Sequence, residues 1–193
     1  MTVSFTPSGV VYAYSLGLFP MYDSRTGKIL WFRPDPRTIL PLDGFHTSRS
    51  LAKRVRSGRF EVRFDTDFIG VMLGCADRQE GTWISEEFLE VYGALFEMGI
   101  AHSVETWLGN RLVGGAYGLA IGGAFMAESM FHYETDASKV ALAALVQRLN
   151  SSEFKLLDVQ YLTDHLASLG AIEISHRNYS ERLQKAIRCS CHF

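Results

Sequence analysis

Three apolar segments separated by glycine-containing turns occupy the middle of the chain. They run over residues 101–107, 112–120 and 124–131, with Gly109-Asn110 and Gly122-Gly123 between them. Short connections of this kind are typical of hairpins, because glycine and asparagine readily adopt the backbone conformations that tight turns need. The sequence therefore predicts an antiparallel meander, which restricts the chain to folds built around a sheet.

Helices are predicted on both sides of this meander. Apolar residues recur there at helical spacing, as Phe88, Val91, Tyr92 and Leu95 before it and as Leu142, Leu145, Val146 and Leu149 after it. Gly99 is placed to end the first helix, and Thr135 or Asp136 to begin the second. An apolar strand at 156–160 and a short helix ending near Gly170 follow. This order predicts an α+β sheet domain.

The N-terminal part of the chain, up to about residue 40, differs in composition. It is rich in aromatic residues, glycine and proline, which predicts a short helix followed by turns and an edge hairpin. Ser48 is then expected to cap a helix that runs to about Ser57. The alternating Phe60, Val62 and Phe64 indicate a strand.

The composition restricts the class of protein. Of 193 residues, 47% are hydrophobic and 21% charged, and the formal net charge is -2. These values describe a globular protein, and no apolar run approaches the length of a membrane span. Cys75, Cys189 and Cys191 form no C-x-x-C pair, so neither a disulfide framework nor a zinc knuckle is indicated. A reduced, cytoplasmic location fits best.

Motifs for metals and nucleotide cofactors are absent from the sequence. None of the histidines has H-x-H, H-x-x-x-H or H-E-x-x-H spacing. The chain also lacks a G-x-S-x-G elbow, a Walker loop and a G-x-G-x-x-G motif. We therefore expect neither a metal nor a cofactor.

Asp158 and Gln160 are the candidate catalytic residues. They lie in an apolar segment, residues 156–160, and because side chains alternate along a strand, both are expected on one face, roughly 7 Å apart. A carboxylate in a buried strand needs a partner, a ligand or a proton. The structural alternative is that Asp158 caps the following turn while Gln160 bonds a neighbouring backbone group.

Glu128 is a second acid in a predominantly apolar strand, residues 127–131. Its carboxylate needs a cation or hydrogen-bond donors, so one interpretation is an internal ion pair. The other interpretation is a binding residue. If Glu128 and Asp158 line one cavity, the two carboxylates suit a cationic group.

Basic residues cluster on the helix that Ser48 caps. Arg49, Lys53 and Arg56 share one face, with Arg54 beside them. Such a patch suits a phosphate backbone, although a solvated helix face is the simpler interpretation. Trp83, just before the next helix, is either a stacking surface for a nucleobase or a core residue.

The chain also carries ordered motifs between about Tyr12 and Ile187. They are AYSLGLFP (13–20), ILWFRPDPR (29–37), HTSRSL (46–51), GTWI (81–84), AHSVETW (101–107), LVGGAYG (112–118), AESMF (127–131), ASKVAL (137–142), LLDVQYLTDHLASLGA (156–171) and ISHRNY (174–179). Together they resemble the bacterial leucyl/phenylalanyl-tRNA protein transferase family. The resemblance implies a small N-terminal domain, 1–34, and a mixed-sheet domain of the N-acetyltransferase-like (GNAT) type, 35–193.

The resemblance also implies a function. The family transfers leucine or phenylalanine, with methionine as a further donor, from aminoacyl-tRNA to the N-terminal amine of proteins that begin with Arg or Lys. The product is marked for degradation. Gln160 would accept a hydrogen bond from the attacking amine, Asp158 would polarise or orient it, and Glu128 would attract the cationic acceptor peptide.

The same resemblance implies where the tRNA binds. Arg49, Lys53, Arg54 and Arg56 would hold the backbone near the 3′ acceptor end. The residues implied for the adenine and the aminoacyl group are Tyr14, Met21, Trp83, Ala116, Phe125, Met130, Leu142, Leu145 and Leu157.

Some positions depart from the family pattern. Met21 stands where the family has Trp, which removes one aromatic wall beside the adenine. Ala116 stands where the family has a pocket Met, which predicts a wider side-chain pocket, while Ala127 and His132 replace a Gly and a Ser. Family members usually begin with a longer segment, so the N-terminal domain is expected to be abbreviated.

Two other functions stay open at this point. A GNAT-like acyltransferase or aminoacyltransferase would act on a different amine. Acetyl-CoA is disfavoured as its donor, because residues 132–137 contain two acids and no glycine where such enzymes bind pyrophosphate. A tRNA-binding module without turnover would need the basic helix but not Asp158, Gln160 and Glu128.

Overall fold

The computed structural model describes residues 3–23, 25–77 and 81–193. Its helices are α1 (Pro7–Ser15), α2 (Arg49–Arg56), α3 (Phe68–Ala76), α4 (Glu86–Glu97), α5 (Ala137–Ser151), α6 (Asp164–Ser168) and α7 (His176–Ala186). Its strands are β1 (Phe19–Asp23), β2 (Lys28–Phe32), β3 (Arg37–Ile39), β4 (Glu61–Phe64), β5 (Ala101–Leu108), β6 (Arg111–Ile121), β7 (Ala124–His132), β8 (Leu156–Gln160) and β9 (Ile172–Ile174). The predicted α+β class is confirmed.

A seven-stranded mixed sheet forms the centre of the protein, in the order β4-β5-β6-β7-β8-β3-β9. The predicted meander lies in its middle, because β5 pairs with β6 and β6 with β7, both antiparallel. β7 and β8 are parallel, which requires a crossover connection, and α5 supplies it. β1 and β2 form a separate antiparallel pair, the predicted N-terminal hairpin.

The two parallel strands separate along their length. Their pairing runs from Ala124 with Leu156 to Met126 with Asp158 and ends there, although β7 continues to His132 and β8 to Gln160. A cleft therefore opens between neighbouring strands at their carboxyl ends. Ligand sites are common at such places, because the diverging backbones and the loops after them leave a concave surface.

Helices cover both faces of the sheet. α1, α3, α4 and α7 contribute to one apolar cluster, which includes Tyr14 and Tyr92, and α2, α5 and α6 contribute to the other, which includes Leu145 and Leu166. With both faces covered, a polar side chain on β7 or β8 is buried unless it faces the cleft. None of the described helices is long and apolar enough to cross a lipid bilayer.

Several local predictions are confirmed. Ser48 is the N-cap of α2, and its Oγ accepts a hydrogen bond from the Leu51 backbone N–H at 3.2 Å. Gly99 follows α4 with φ 68°, a left-handed conformation that glycine adopts without strain. Asp136 rather than Thr135 is the N-cap of α5.

The sequence patterns predict none of α3, α7, β3 and β9. α3 consists almost entirely of apolar residues, so no polar face marks its period. β3 and β9 are too short to show a period. β3 directly follows Pro36, yet it pairs with β8 and β9 inside the main sheet, whereas the proline-rich segment predicts only turns at an edge.

Candidate active site

A cavity of about 330 Å³ lies in the cleft between β7 and β8. β7 contributes Ala127 to Met130, and the end of β8 with the loop and helix after it contributes residues between Val159 and Leu166. The remaining lining residues come from β1, from β6, from α5 and from the segment before α4: Pro20, Met21, Ala116, Leu142 and Trp83. The wall is mostly apolar, with Glu128, Gln160 and His165 among its polar members.

Glu128 enters this cavity from an irregular point in β7. Tyr117 pairs with Ser129 and Gly118 pairs with Ala127, so Glu128 is an extra residue between two regular pairs. Such a bulge changes the direction of the side chain it carries, and bulges are frequent beside active sites. The bulge explains why an acid lies among apolar strand residues, and a strictly alternating pattern could not predict it.

The Glu128 carboxylate is buried among hydroxyl groups. Tyr14 donates a hydrogen bond to its Oε1, and the Tyr92 hydroxyl lies 3.1 Å from that of Tyr14. The Oε2 atom has no hydrogen-bond partner within the described part of the chain. None of the ion pairs among the described residues includes Glu128, so within this part of the chain hydroxyl and amide donors take the place of the cation that the ion-pair interpretation requires.

The pKa of Glu128 is raised to about 7, chiefly because the group is buried; the Tyr14 hydrogen bond opposes this shift and the nearby Asp158 carboxylate adds to it. Burial also raises the pKa values of Tyr14 and Tyr92 well above their usual range, and the Glu128 charge adds to that effect. Both tyrosines therefore remain hydroxyl donors, and Glu128 titrates near neutrality.

Asp158 is completely buried and makes a bidentate ion pair with Arg37. Arg37 Nε donates to Oδ1 at 2.8 Å and Nη2 donates to Oδ2 at 2.6 Å, while the Tyr179 hydroxyl donates to Oδ2 at 2.7 Å. Burial alone would lower the pKa of Arg37, but the Asp158 charge more than offsets this, so the net shift is upward. The Arg37 guanidinium lies 4.7 Å and 4.8 Å from the ring centroids of Phe19 and Tyr179.

Gln160 connects the two acids. Its backbone N–H donates to Asp158 Oδ1 at 3.0 Å, and its side-chain Nε2 donates to Glu128 Oε1 at 3.4 Å. Its φ is 65°, an uncommon conformation for a residue other than glycine, so the alternation expected along β8 ends at this position. Gln160 and Glu128 line the cavity, whereas Asp158 does not. The prediction that the Glu128 and Asp158 carboxylates share one cavity is therefore wrong.

The cavity brings together only some of the residues expected to contact the adenine and the aminoacyl group. Those in its wall are Met21, Trp83, Ala116, Met130 and Leu142. The others, Tyr14, Phe125, Leu145 and Leu157, are fully buried outside that wall. Trp83 packs edge-on against Phe88 with ring centroids 5.2 Å apart, so it contacts the core with one side and the cavity with the other.

The basic helix lies outside the cavity. Arg49, Lys53 and Arg56 are exposed, and none of them makes an ion pair within the ranges that the structure describes. Arg54 Nε lies 3.5 Å from Asp136 Oδ2, so its charge is partly neutralised. A patch of unpaired cations fits a polyanion better than an internal salt-bridge network does.

Three residues of the site, Arg37, Tyr92 and Tyr179, are not among those that the sequence patterns indicate as functional. A buried Asp158 requires a cation, and the second arginine of the ILWFRPDPR motif is a usable signal for Arg37. Tyr92 has helical spacing, which indicates only a core residue. Over the described residues, no group of three or more His, Cys, Asp or Glu side chains could hold a metal ion.

Comparison with known proteins identifies relatives along the whole chain. Residues 39–184 match the family described as leucyl/phenylalanyl-tRNA protein transferase, and residues 4–35 match its N-terminal domain. A leucyl/phenylalanyl-tRNA protein transferase of Herpetosiphon aurantiacus is 49% identical over 194 residues, which cover 100% of both chains. One of Ruegeria pomeroyi is 48% identical over 192 residues, 99% of this chain and 91% of the relative.

Among solved structures, L-PGS from Bacillus licheniformis is similar over 92% of this chain, with a TM-score of 0.44 and 12% identity. This chain spans 62% of that structure. The relatives with high identity define the class: the protein is an aminoacyltransferase. The chain belongs to the leucyl/phenylalanyl-tRNA protein transferase family.

Proposed function

We propose that the cavity between β7 and β8 is where leucine or phenylalanine is transferred from aminoacyl-tRNA to the N-terminal amine of proteins that begin with Arg or Lys. One observation carries the proposal. A buried carboxylate, Glu128, has an Oε2 atom without a partner among the described residues and lies within hydrogen-bond distance of the Gln160 amide in a mostly apolar cavity. A cationic amine satisfies such an acceptor, while the apolar wall suits the donor side chain.

The donor end of the tRNA would occupy the apolar part of the cavity. Met21 and Trp83 both contribute to the wall, so the adenine would lie between a thioether and an indole ring instead of between two indoles. Ala116, Met130 and Leu142 would contact the amino-acid side chain. This wall would be supported from the core side by Phe125, Leu145 and Leu157. Tyr14 would contribute by its hydrogen bond to Glu128.

The catalytic assignment of Asp158 and Gln160 remains a proposal with distinct roles for each residue. Asp158 is held by Arg37 and Tyr179 and bonds the Gln160 backbone, so it would orient Gln160. The Gln160 side-chain oxygen would accept a hydrogen bond from the attacking amine. The aminoacyl ester is already activated, so positioning the amine and the carbonyl carbon supplies much of the rate and no covalent enzyme intermediate is needed.

The basic helix α2 would hold the acceptor stem. Phosphate contacts would be made by the exposed charges of Arg49, Lys53 and Arg56. Arg54 would exchange its long contact with Asp136 for a phosphate contact.

The GNAT-type classification and the division into 1–34 and 35–193 are part of the proposal. They are supported by the mixed sheet with its parallel β7–β8 pair and by the separate β1–β2 hairpin. A cytoplasmic location is supported by the finding that Cys75, Cys189 and Cys191 form no disulfide bond.

One assay tests the proposal. Transfer tRNA charged with labelled leucine, phenylalanine or methionine would be incubated with peptides that differ only in an N-terminal Arg, Lys or Ala. We expect label on the Arg and Lys peptides and little on the Ala peptide. Transfer to a different amine would favour the GNAT-like alternative, and tRNA binding without transfer to any amine would favour a binding module.

A further inference from the structure

The acceptor amine must lose a proton before it can attack the ester. An N-terminal α-amine has a pKa of about 7.7–8.0, so near neutral pH most of it is an ammonium group without a lone pair. Gln160 cannot hold that proton, because a neutral amide oxygen accepts a hydrogen bond but does not titrate in this range. Another group beside Gln160 has to take it.

Asp158 is not available as the acceptor of this proton. Arg37 bonds both of its carboxylate oxygens, and the Tyr179 hydroxyl and the Gln160 backbone N–H occupy them further. Asp158 is also fully buried outside the cavity wall. A proton placed on this carboxylate would break a buried ion pair, which is strongly unfavourable.

Glu128 has the free capacity that Asp158 lacks. It lines the cavity, its Oε1 lies 3.4 Å from Gln160 Nε2, and its Oε2 has no partner among the described side chains. An amine bound to Gln160 is therefore next to the Glu128 carboxylate. We propose that Glu128 is the catalytic residue that accepts the proton of the acceptor's α-ammonium group, an inference that rests on the proposed function.

The proton and electron balance of the step is complete. The ammonium N–H bond breaks and its proton moves to Glu128, which leaves the nitrogen with a lone pair. The nitrogen attacks the ester carbonyl carbon, the bond from that carbon to the ribose oxygen of tRNA breaks, and the ribose oxygen takes the second proton of the amine. An amide and a free tRNA hydroxyl result, and protonated Glu128 returns its proton to water.

The groups around Glu128 suit this role. Burial raises its pKa to about 7, close to that of the amine, so the proton moves between nearly matched groups. Tyr14 of α1 and Tyr92 of α4 stay protonated, and Arg37 of β3 and Asp158 of β8 remain an ion pair. His165 of α6 also lines the cavity, and burial followed by the Lys139 charge lowers its pKa. Among the described carboxylates, Glu128 is thus the one in the cavity wall, and its pKa of about 7 is close to that of the substrate amine.

The first test compares kcat/KM of Glu128→Gln and wild type for an Arg-ended peptide across pH, after subtracting spontaneous ester hydrolysis. At about pH 6.5 the variant should be slower by roughly tenfold or more, because few amines are neutral. At about pH 9 the deficit should largely disappear, because the amine no longer needs an acceptor. The Arg side chain stays charged throughout and Glu128 gains its charge near pH 7, so simple attraction of the Arg charge would give a deficit that grows from pH 6.5 to pH 9 instead of disappearing.

A second variant keeps the inference testable if Glu128→Gln folds poorly. The Tyr14 hydrogen bond lowers the pKa of Glu128, so Tyr14→Phe should move the acidic limb of the kcat/KM profile to higher pH. Tyr133→Phe is the matched control, because it removes a hydroxyl that donates to Asp77 outside the cavity wall, and the limb should stay in place.

The outcomes separate the two proposals. Wild-type transfer with a Glu128→Gln deficit that stays constant or grows toward pH 9, or an acidic limb that Tyr14→Phe leaves unmoved, would overturn the proton-acceptor role alone. A wild-type protein that transfers no amino acid from tRNA to any peptide at any pH would overturn the proposed function and this inference together.

Discussion

Arg37 and Asp158 form a buried, bidentate ion pair, with only 1% of the Arg37 side chain and none of Asp158 exposed. This pair joins β3 to β8, and the Asp158 end of it also bonds the Gln160 backbone. The backbone segment that carries Gln160 into the cavity is therefore held by a charge pair outside it. The stability of the fold and the position of the candidate site depend on the same two residues.

Removing the cation of this pair should destabilise the protein strongly. Arg37→Met leaves the Asp158 carboxylate buried without a counter-charge, which costs roughly 3–5 kcal/mol of unfolding free energy. Chemical denaturation would measure the effect. Arg177→Met, which removes an arginine from an exposed pair with Glu181, is the control and should leave the denaturation midpoint unchanged. Equal midpoints for both variants would show that Asp158 does not need Arg37.

Gln160→Ala should lower turnover without weakening the affinity for tRNA. The substitution removes the amide that lies 3.4 Å from Glu128 in the cavity but keeps the backbone N–H that bonds Asp158. We expect transfer to fall by about 10²-fold or more, because a group that orients the nucleophile is missing. Single-turnover rates and tRNA binding would be measured in parallel. Gln147→Ala, on α5 and outside the cavity wall, should behave as wild type, and a normal rate for Gln160→Ala would remove Gln160 from the mechanism.

Glu128→Gln should stabilise the fold at high pH. The unfolded carboxyl titrates at about pH 4.3 and the folded one at about 7, so between these values the folded state binds more protons. Stability therefore falls as pH rises through this window, and above it the buried charge costs roughly 3 kcal/mol. Gln mimics the neutral acid, so the variant should match wild type near the lower limit and exceed it at about pH 8.

Glu105→Gln is a control for this comparison, because it should change stability at high pH in the opposite direction. The Glu105 carboxylate accepts hydrogen bonds from the Thr66 and Asp67 backbone N–H groups, from Ser103 Oγ and from Trp107 Nε1. These donors outweigh burial and lower its pKa. Glu105→Gln should therefore destabilise the protein at about pH 8, where the carboxylate is charged in both states. Thermal melts at two pH values distinguish the variants. A decrease in stability for Glu128→Gln at high pH would contradict the claim that the charged Glu128 carboxylate destabilises the fold.

The sequence predicts the meander and the helices around it because those elements carry strong periodic patterns and glycine turns. It locates Glu128 and Gln160, yet it cannot predict their geometry. Glu128 enters the cavity through a bulge and Gln160 through a left-handed backbone conformation, and both break the alternation on which the prediction rests. Arg37 is 121 residues from Asp158, and only the tertiary pairing of β3 with β8 brings them together.

The exposed cations of α2 should determine the salt dependence of tRNA binding. Arg49→Ala, Lys53→Ala and Arg56→Ala should each weaken binding and reduce the log–log salt slope by about one for each phosphate that the variant no longer neutralises. Arg54→Ala should have a smaller effect, because Arg54 already lies 3.5 Å from Asp136. Binding would be measured at several salt concentrations, with Lys185→Ala on α7 as the control. Unchanged salt slopes for these three variants would indicate that α2 is an ordinary solvated helix and does not contact tRNA.

Ala116 should set the size of the donor that the cavity accepts. Its side chain lies in the wall of the cavity on β6, opposite Met130 of β7 in the strand register, so a longer side chain here would extend into the space available to the aminoacyl group. Ala116→Met should therefore reduce transfer of phenylalanine more than transfer of leucine, with a change of about 10-fold or more in the ratio of their kcat/KM values, because differences of this kind in an apolar pocket are worth about 1–3 kcal/mol. Ala120→Met, near the other end of β6 and absent from the cavity wall, is the matched control. An unchanged ratio for Ala116→Met would place the donor side chain elsewhere in the protein.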